Sequence, residues 1–272
     1  MRALILAAAL AACTTTSQAQ SVSADPVIAA ERAFAAEAAQ IGWAEAFRRW
    51  HAPGAITLSP GPVDAAEGLA QIDGPGETTL DWRPAYAGVS RGGDFGFTTG
   101  PFQIRGRDGI IGHYFTVWRR QPNGDWRWIF DAGTDVADPG PAIANDAVLP
   151  ALPVAASGAA SADAAVEAVR SIEEGGDFGA ARWLAEDARV NRPGAAAGVG
   201  RDAAAALIAA DGPTVLTPIR REGAPAGDMV FSLGEARRGD RRGYYARIWQ
   251  HRPEGWRIVF DEIVPHRGPP PG

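Results

Sequence analysis

The chain has 272 residues, 26 of them Lys or Arg against 32 Asp or Glu, for a formal net charge of -6. That balance carries no electrostatic footprint for nucleic acid, which calls for a concentrated basic excess. Cys13 is the only cysteine, so an intramolecular disulfide is excluded and neither a cysteine-based metal site nor a cysteine nucleophile is expected.

Residues 1–24 read as a leader and tether. Arg2 precedes an apolar run from Ala3 to Ala12. The run is too short for a span of about 20 residues and has the length of a secretory core. Small residues before a cysteine, Leu10-Ala11-Ala12-Cys13, resemble the lipobox of bacterial lipoproteins, whose cysteine is lipidated and becomes the first mature residue. Two outcomes are open: a periplasmic protein anchored to a membrane through Cys13, or a soluble secreted protein cleaved near Ala19. Both export the protein, and no later segment is apolar enough to span a bilayer.

A first domain is expected over residues 25–137. Asp25 before Pro26 predicts a helix start, and Val27, Ala30, Phe34 and Ala38 recur at helical spacing. Gly42 interrupts, and Trp43, Phe47 and Trp50 predict a second short helix before Pro53-Gly54. A strand at Ala55 to Leu58 and a third helix opened by Asp64 follow. The rest is strand-like: Phe95 to Thr99, Pro101 to Arg105, and a hairpin of Gly112 to Arg120 with Trp126 to Ala132 across Asn123-Gly124. Helices followed by an antiparallel meander make an α+β layout.

Residues 138–160, rich in Pro, Ala and Gly, read as a domain linker. A second domain over 161–266 repeats the order. It has a helix through Val166, Val169 and Ile172, a short helix from Phe178 to Glu186, a third from Asp202 to Ala210, and the strand GDMVFSLG (227–234) in place of GDFGFTTG (93–100). Residues 267–272 read as a disordered tail.

GHYFTVWRRQPNGDWRWIFD (112–131) returns as GYYARIWQHRPEGWRIVFD (243–261), with a one-residue gap at Asp125. A slip of one residue exchanges the faces of a strand. With Trp118 opposite Phe130 and Trp249 opposite Phe260, the gap belongs in the turn. By period two, Tyr114, Thr116, Trp118, Trp126, Trp128 and Phe130 then share one face, and His113, Phe115, Val117, Ile129 and Asp131 the other. Both faces are substantially apolar, unlike a sheet with one wet side. Helices are expected over one face and the sheet of the other half over the second, a pseudo-twofold pair of domains within one chain.

Three stretches of the first half, LDWRPAYAGVSRGGDFGFTTG (80–100), the hairpin, and GWAEAFRRWHAPGAITL (42–58), are similar to the domain-of-unknown-function 4440 group of the SnoaL-like and nuclear transport factor 2-like superfamily. They cover most of residues 26–135. The second half resembles a diverged member, keeping the hairpin and the Gly-Asp strand but carrying Thr217-Pro218 in place of Asp81-Trp82. The resemblance implies two tandem cone-shaped α+β domains, each with about three helices packed on a curved antiparallel sheet and a pocket at the wide end. Relatives include polyketide cyclases, ketosteroid isomerase-like enzymes and dehydratases, alongside members that only bind ligands or pair with other domains. A fold so widely shared does not choose a function.

An isomerase or cyclase in such a cone needs a carboxylate or His base and a Tyr or protonated acid in an apolar pocket. Asp94 and Tyr114 are the pair available, with Asp81 and Trp82 at a possible rim. Against catalysis, Tyr114, Asp94 and Asp131 recur as Tyr245, Asp228 and Asp261, as scaffold residues would. Trp82, Tyr114, Thr116, Trp118 and Trp128 are the ligand-pocket candidates of the first domain, or else plain core. In the second they are Tyr245, Arg247 and Trp249, with Arg247 in the place of Thr116 and able to hold a carboxylate or phosphate. His51, His113, His251 and His266 show no metal-ligand spacing, and RRGDRRG (237–243) reads as a solvated turn. No phosphate loop, dinucleotide fingerprint or nucleophile elbow is present, so no cofactor is expected.

The sequence thus points to an exported protein that binds a small apolar or amphipathic ligand, or acts as an interaction module, without clear catalytic machinery. The alternative is an isomerase, cyclase or hydrolase acting in the first-domain pocket. No nucleic-acid partner is expected, and a membrane contact only through an N-terminal lipid.

Overall fold

In the computed structural model, residues 21–58, 61–106, 109, 111–136, 148–175 and 178–266 are described. Helix α1 (Asp25–Ile41) buries Val27, Ala30, Phe34 and Ala38, and Pro26 lies in its first turn, where a missing N–H costs no hydrogen bond. Ala24, rather than Asp25, is the N-cap. Gly42 ends the helix at φ 93°, and a side chain there would collide with the Pro75 carbonyl. Then come α2 (Trp43–Trp50), β1 (His51–Leu58), β2 (Pro62–Asp64) and α3 (Ala65–Ala70). Asp64 caps α3 by accepting from the amides of Ala66 and Glu67. Strands β3 (Leu80–Trp82), β4 (Tyr86–Val89), β5 (Phe95–Ile104), β6 (Gly112–Arg120) and β7 (Trp126–Asp135) complete the first domain. The two strands expected around Gly100-Pro101 are one continuous β5.

The second domain begins with α4 (Ala162–Glu173), capped by Ser161, and a 3-10 turn (Ala180–Trp183) stands where a short helix was expected. It continues through β8 (Leu184–Asn191), β9 (Gly198–Val199), α5 (Arg201–Asp211), β10 (Val215–Gly223), β11 (Met229–Arg238), β12 (Arg241–Arg252) and β13 (Gly255–Pro265). The first sheet runs β2-β1-β7-β6-β5-β3, with β4 also on β5, and the second runs β9-β8-β13-β12-β11-β10. Both are antiparallel except for one pair each, β1 with β7 and β8 with β13, which is parallel. The fold is α+β: two cone-shaped domains with helices on one side of each sheet. Gly100 and Gly234 hold matching places, each pressed so closely by the backbone of the neighbouring strand segment that a Cβ would overlap Arg83 O in one domain and Thr217 O in the other.

The hairpin faces differ from the simple alternation. Val117 pairs with Phe130 but Trp118 pairs with Trp128, so Ile129 is an extra residue, and Val259 is its counterpart between Ile258 and Phe260. Such a β-bulge reverses the alternation beyond it. Phe130 therefore joins Phe115 and Val117, while Asp131 comes opposite Thr116, exchanging the faces that period two assigns to these two residues. Trp118 opposite Phe130 and Trp249 opposite Phe260 are accordingly corrected. The one-residue gap does lie in the turn: five residues separate Arg120 from Trp126, and four separate His251 from Trp256.

The Phe-rich face of the first sheet packs on the second sheet. Phe115 stacks on Phe260 with centroids 4.2 Å apart. Phe97 contacts Phe260 at 5.9 Å and Phe130 contacts Phe231 at 4.9 Å. Since Phe97 matches Phe231 and Phe130 matches Phe260, the last two contacts are one contact made twice, the signature of a self-complementary interface. Part of the expected linker is structural: Leu152 is buried and donates its amide to Ala87 O, and Gln250 donates to Pro153 O. Residues 137–147 lie outside the described residues.

Candidate ligand cavities

In the first domain α2, β3 and strands β5 to β7 enclose a cavity of about 250 Å³. Phe47, Leu58, Leu80, Trp82 and Phe102 give it an apolar wall, and Tyr114 and Asp131 complete it. Thr116 Oγ1 donates to Asp131 Oδ2 at 2.6 Å. Burial pushes the Asp131 carboxyl up to about 8, against the Thr116 hydrogen bond and with the charge of Glu31 adding to the rise. It is thus protonated at neutral pH. Among the described residues the buried Tyr114 hydroxyl has no hydrogen-bond partner, and burial raises its ionisation well above the ordinary range.

Behind this cavity lies Glu31, fully buried on α1. Trp82 Nε1 donates to it at 2.6 Å, Trp118 Nε1 at 3.1 Å, and the Thr98 hydroxyl also donates. Burial outweighs these donors and raises its carboxyl to about 7. The second domain repeats the arrangement on α4. Glu173 accepts from Trp249 Nε1 at 2.9 Å and from the Ser232 hydroxyl at 2.7 Å, and Ser232 and Trp249 match Thr98 and Trp118. Arginines replace the Trp82 donor: Arg221 Nε lies 2.7 Å from Glu173 and Arg247 Nη1 3.3 Å.

Arg247 also donates through Nε to Asp261 at 2.6 Å, and Arg192 reaches the other oxygen of Asp261 at 2.6 Å. Burial alone would raise the Asp261 carboxyl, but the two guanidiniums outweigh it and hold it below its ordinary range. Charged pairs thus occupy the depth of the second cone, and its cavity of about 580 Å³ opens farther out, beside Arg192 and Asp211. Glu262, one residue beyond Asp261, is fully buried; burial raises it to about 8 despite a 2.9 Å hydrogen bond from Asn191.

Among the sequence candidates, Trp82 and Tyr114 line the first cavity. Thr116 supports it through Asp131, while Trp118 and Trp128 are fully buried beneath α1 and α2, against Phe34 and Phe47. Tyr245, Arg247 and Trp249 are likewise buried, with the Arg247 charge spent on internal carboxylates. Asp94 and Tyr114 are not brought together. Phe95 pairs with Arg119 and Gly100 with Tyr114, placing them at opposite ends of the strand pair, roughly 20 Å apart at ~3.3 Å per residue. Asp94 instead accepts from the Ser90 hydroxyl in a turn. Cys13 lies outside the described residues. Sequence reasoning missed Glu31 and Glu173. Each stands within an apolar stripe, Glu31 four residues after Val27 and three before Phe34, and Glu173 four after Val169; a charge on a buried face needs partners. Among the described residues no group of three or more His, Cys, Asp or Glu is placed to hold a metal ion, and no helix is long and apolar enough to cross a membrane.

No protein-family model and no curated protein matches the chain. Solved structures do. The chain is similar to an NTF2-like protein with a cystatin-like fold from Novosphingobium aromaticivorans, 25% identical over 33% of this chain and 68% of that one, with a TM-score of 0.27. An NTF2-like protein of unknown function from Pseudomonas putida is 15% identical over 38% of this chain and 88% of its own, with a TM-score of 0.31. A putative calcium/calmodulin-dependent protein kinase type II association domain from Thiobacillus denitrificans is 19% identical over 42% of this chain and 98% of its own, with a TM-score of 0.27.

Proposed function

We propose that the protein binds a small apolar or amphipathic molecule in the first-domain cavity, held by a hydrogen bond from Asp131, without transforming it. Asp131 carries the reading. Among the described residues its carboxyl has one donor, Thr116, and it lies on a cavity otherwise walled mainly by apolar and aromatic side chains. Protonated at neutral pH, it offers a hydrogen to a carbonyl or ether oxygen. A mostly apolar recess with a few placed polar groups is the usual form of a small-molecule site. Chemistry would need a base, and with Asp131 protonated and Glu31 closed off by its three donors the cavity lining offers none.

Protein purified under native conditions should carry a small molecule visible by mass spectrometry. Asp131→Asn, which keeps a donor, should retain it, and Asp131→Leu should lose it. Repeatedly empty protein, with no thermal stabilisation from a panel of apolar ketones and esters, would sink the reading. The second reading is an isomerase, cyclase or hydrolase, favoured by the raised Asp131 carboxyl beside Tyr114 in one cavity. It gains the upper hand if Asp131→Asn protein accumulates a different bound compound from wild type.

We also infer that the halves are two copies of a nuclear transport factor 2-like domain of the domain-of-unknown-function 4440 type, the second diverged. The matched strand orders and the equivalence of Glu31 and Glu173 support two copies. Export with a lipid on Cys13 rests on Leu10-Ala11-Ala12-Cys13. Cys13→Ser should abolish lipid labelling, and unchanged membrane association in that variant would count against the anchor.

A further inference from the structure

The larger cavity, about 580 Å³, lies in the second domain where the last turn of α5, the start of β12 and the end of β13 meet. Arg192, Arg238, Arg241 and Arg242 line it against a single carboxylate, Asp211. In a chain of net charge -6, that is a local reversal of sign. Asp211 does not cancel it. Arg192 and Arg238 share that carboxylate at 2.6 and 3.5 Å, Arg192 is also paired with the buried Asp261 at 2.6 Å, and Arg242 faces Glu235 at 3.1 Å in an exposed pair, a kind worth little in water. The Arg241 guanidinium is exposed and has no ion-pair or hydrogen-bond partner among the described residues. Beneath these heads the wall is apolar, formed by Leu207, Ala236 and Ile263.

We propose that this cavity is a second ligand site and takes an organic anion. Its carboxylate or phosphate would be held by Arg241 and Arg242, and its apolar body would lie on Leu207, Ala236 and Ile263. Guanidinium forks pair with both anions through two parallel hydrogen bonds, and an apolar floor beside them selects an amphiphile over a bare ion. The basic run 237–243, which looks like a solvated turn from sequence alone, brings three of its arginines to one recess. The site shares no lining residue with the first cavity and stands independently of the first-domain reading.

Isothermal titration of the full chain with decanoate tests this, with decan-1-ol as the neutral counterpart. Sedimentation with phosphatidylglycerol vesicles, against phosphatidylcholine vesicles, distinguishes a lipid headgroup from a free anion. Decanoate should bind saturably, decan-1-ol about tenfold more weakly or worse, and raised salt should weaken only the anion. The double variant Arg241→Ala, Arg242→Ala should lose about tenfold in affinity while melting at the wild-type temperature, since both side chains are exposed. Sedimentation with phosphatidylglycerol that disappears in the double variant would assign the same site to an anionic headgroup. Equal binding of acid and alcohol, no saturable binding of either anion source, or unchanged affinity in the double variant would overturn the proposal.

Discussion

Thr116 and Arg247 stand at the same register position of their sheets, each directly opposite the aspartate of the next strand, Asp131 or Asp261. The threonine hydroxyl gives its aspartate one hydrogen bond and leaves the carboxyl protonated at neutral pH. The arginine, together with Arg192, keeps its aspartate charged. Arg247 in the place of Thr116, with Arg192 and Arg221 beside it, separates an ion-paired interior from a cavity wall.

Arg247→Met should therefore be costly. It would leave Asp261 and Glu173 buried with one fewer cation each, and removing one partner of a buried pair typically costs ~3–5 kcal/mol. Asp261→Asn in the Arg247→Met background should recover part of that loss. Urea unfolding of the four members of the cycle measures the coupling, and a value below ~0.5 kcal/mol would mean that the pair is not the network described.

Stability should fall as pH rises from about 5 to 8.5. Glu31, Asp131 and Glu262 are raised by burial to about 7, 8 and 8 from ordinary values of 4.5, 3.8 and 4.5. Across that window the folded chain holds protons that the unfolded chain has released, so stability declines until pH passes the folded values. Asp261 has the opposite sign: its folded value is depressed, and its contribution is lost as pH falls below the ordinary carboxylate range. The melting temperature should peak near pH 5 and drop by about 5 °C or more at pH 8.5. A flat profile between those points would contradict the raised values of the three acids.

Tyr114→Phe removes a buried hydroxyl that has no hydrogen-bond partner among the described residues. An unmade buried hydrogen bond costs ~1–3 kcal/mol, so the variant should be as stable as wild type or more so. A loss above ~1 kcal/mol in chemical unfolding would show that the hydroxyl is satisfied in solution.

Phe260→Ala cuts the stack on Phe115 and the contact with Phe97. It should cost ~3–5 kcal/mol and lower the unfolding midpoint of both domains together, followed by one tryptophan-dominated transition. Two resolved transitions, with only the second shifted, would mean that the sheets do not depend on each other.

Much of the fold is legible in the sequence because long-range order here is written in local signals. Gly42 stops one helix, Asp64 caps another, and paired aromatics at alternate positions mark the hairpins. What period two misses is the bulge at Ile129, since neither an isoleucine nor its neighbours announce an extra residue in a strand. That single insertion decides that Asp131 faces the cavity and Phe130 the other sheet. Glu31 was visible as a charge in an apolar stripe, but its donors come from β3, β5 and β6, residues 51 to 87 positions away. Only the folded chain can bring them together.

The exchanged contacts, Phe97 on Phe260 and Phe130 on Phe231, have a consequence for how far the two halves can differ. Between two identical chains, any change in one cone appears in the other, so a mutation that suits one ligand is forced on both sites. Here the like sheets are joined in a single polypeptide, and each position is encoded separately. Thr116 can be a threonine where Arg247, at the matching place, is the centre of an ion cluster. The interface keeps the demands of symmetry, and the two interiors are released from it.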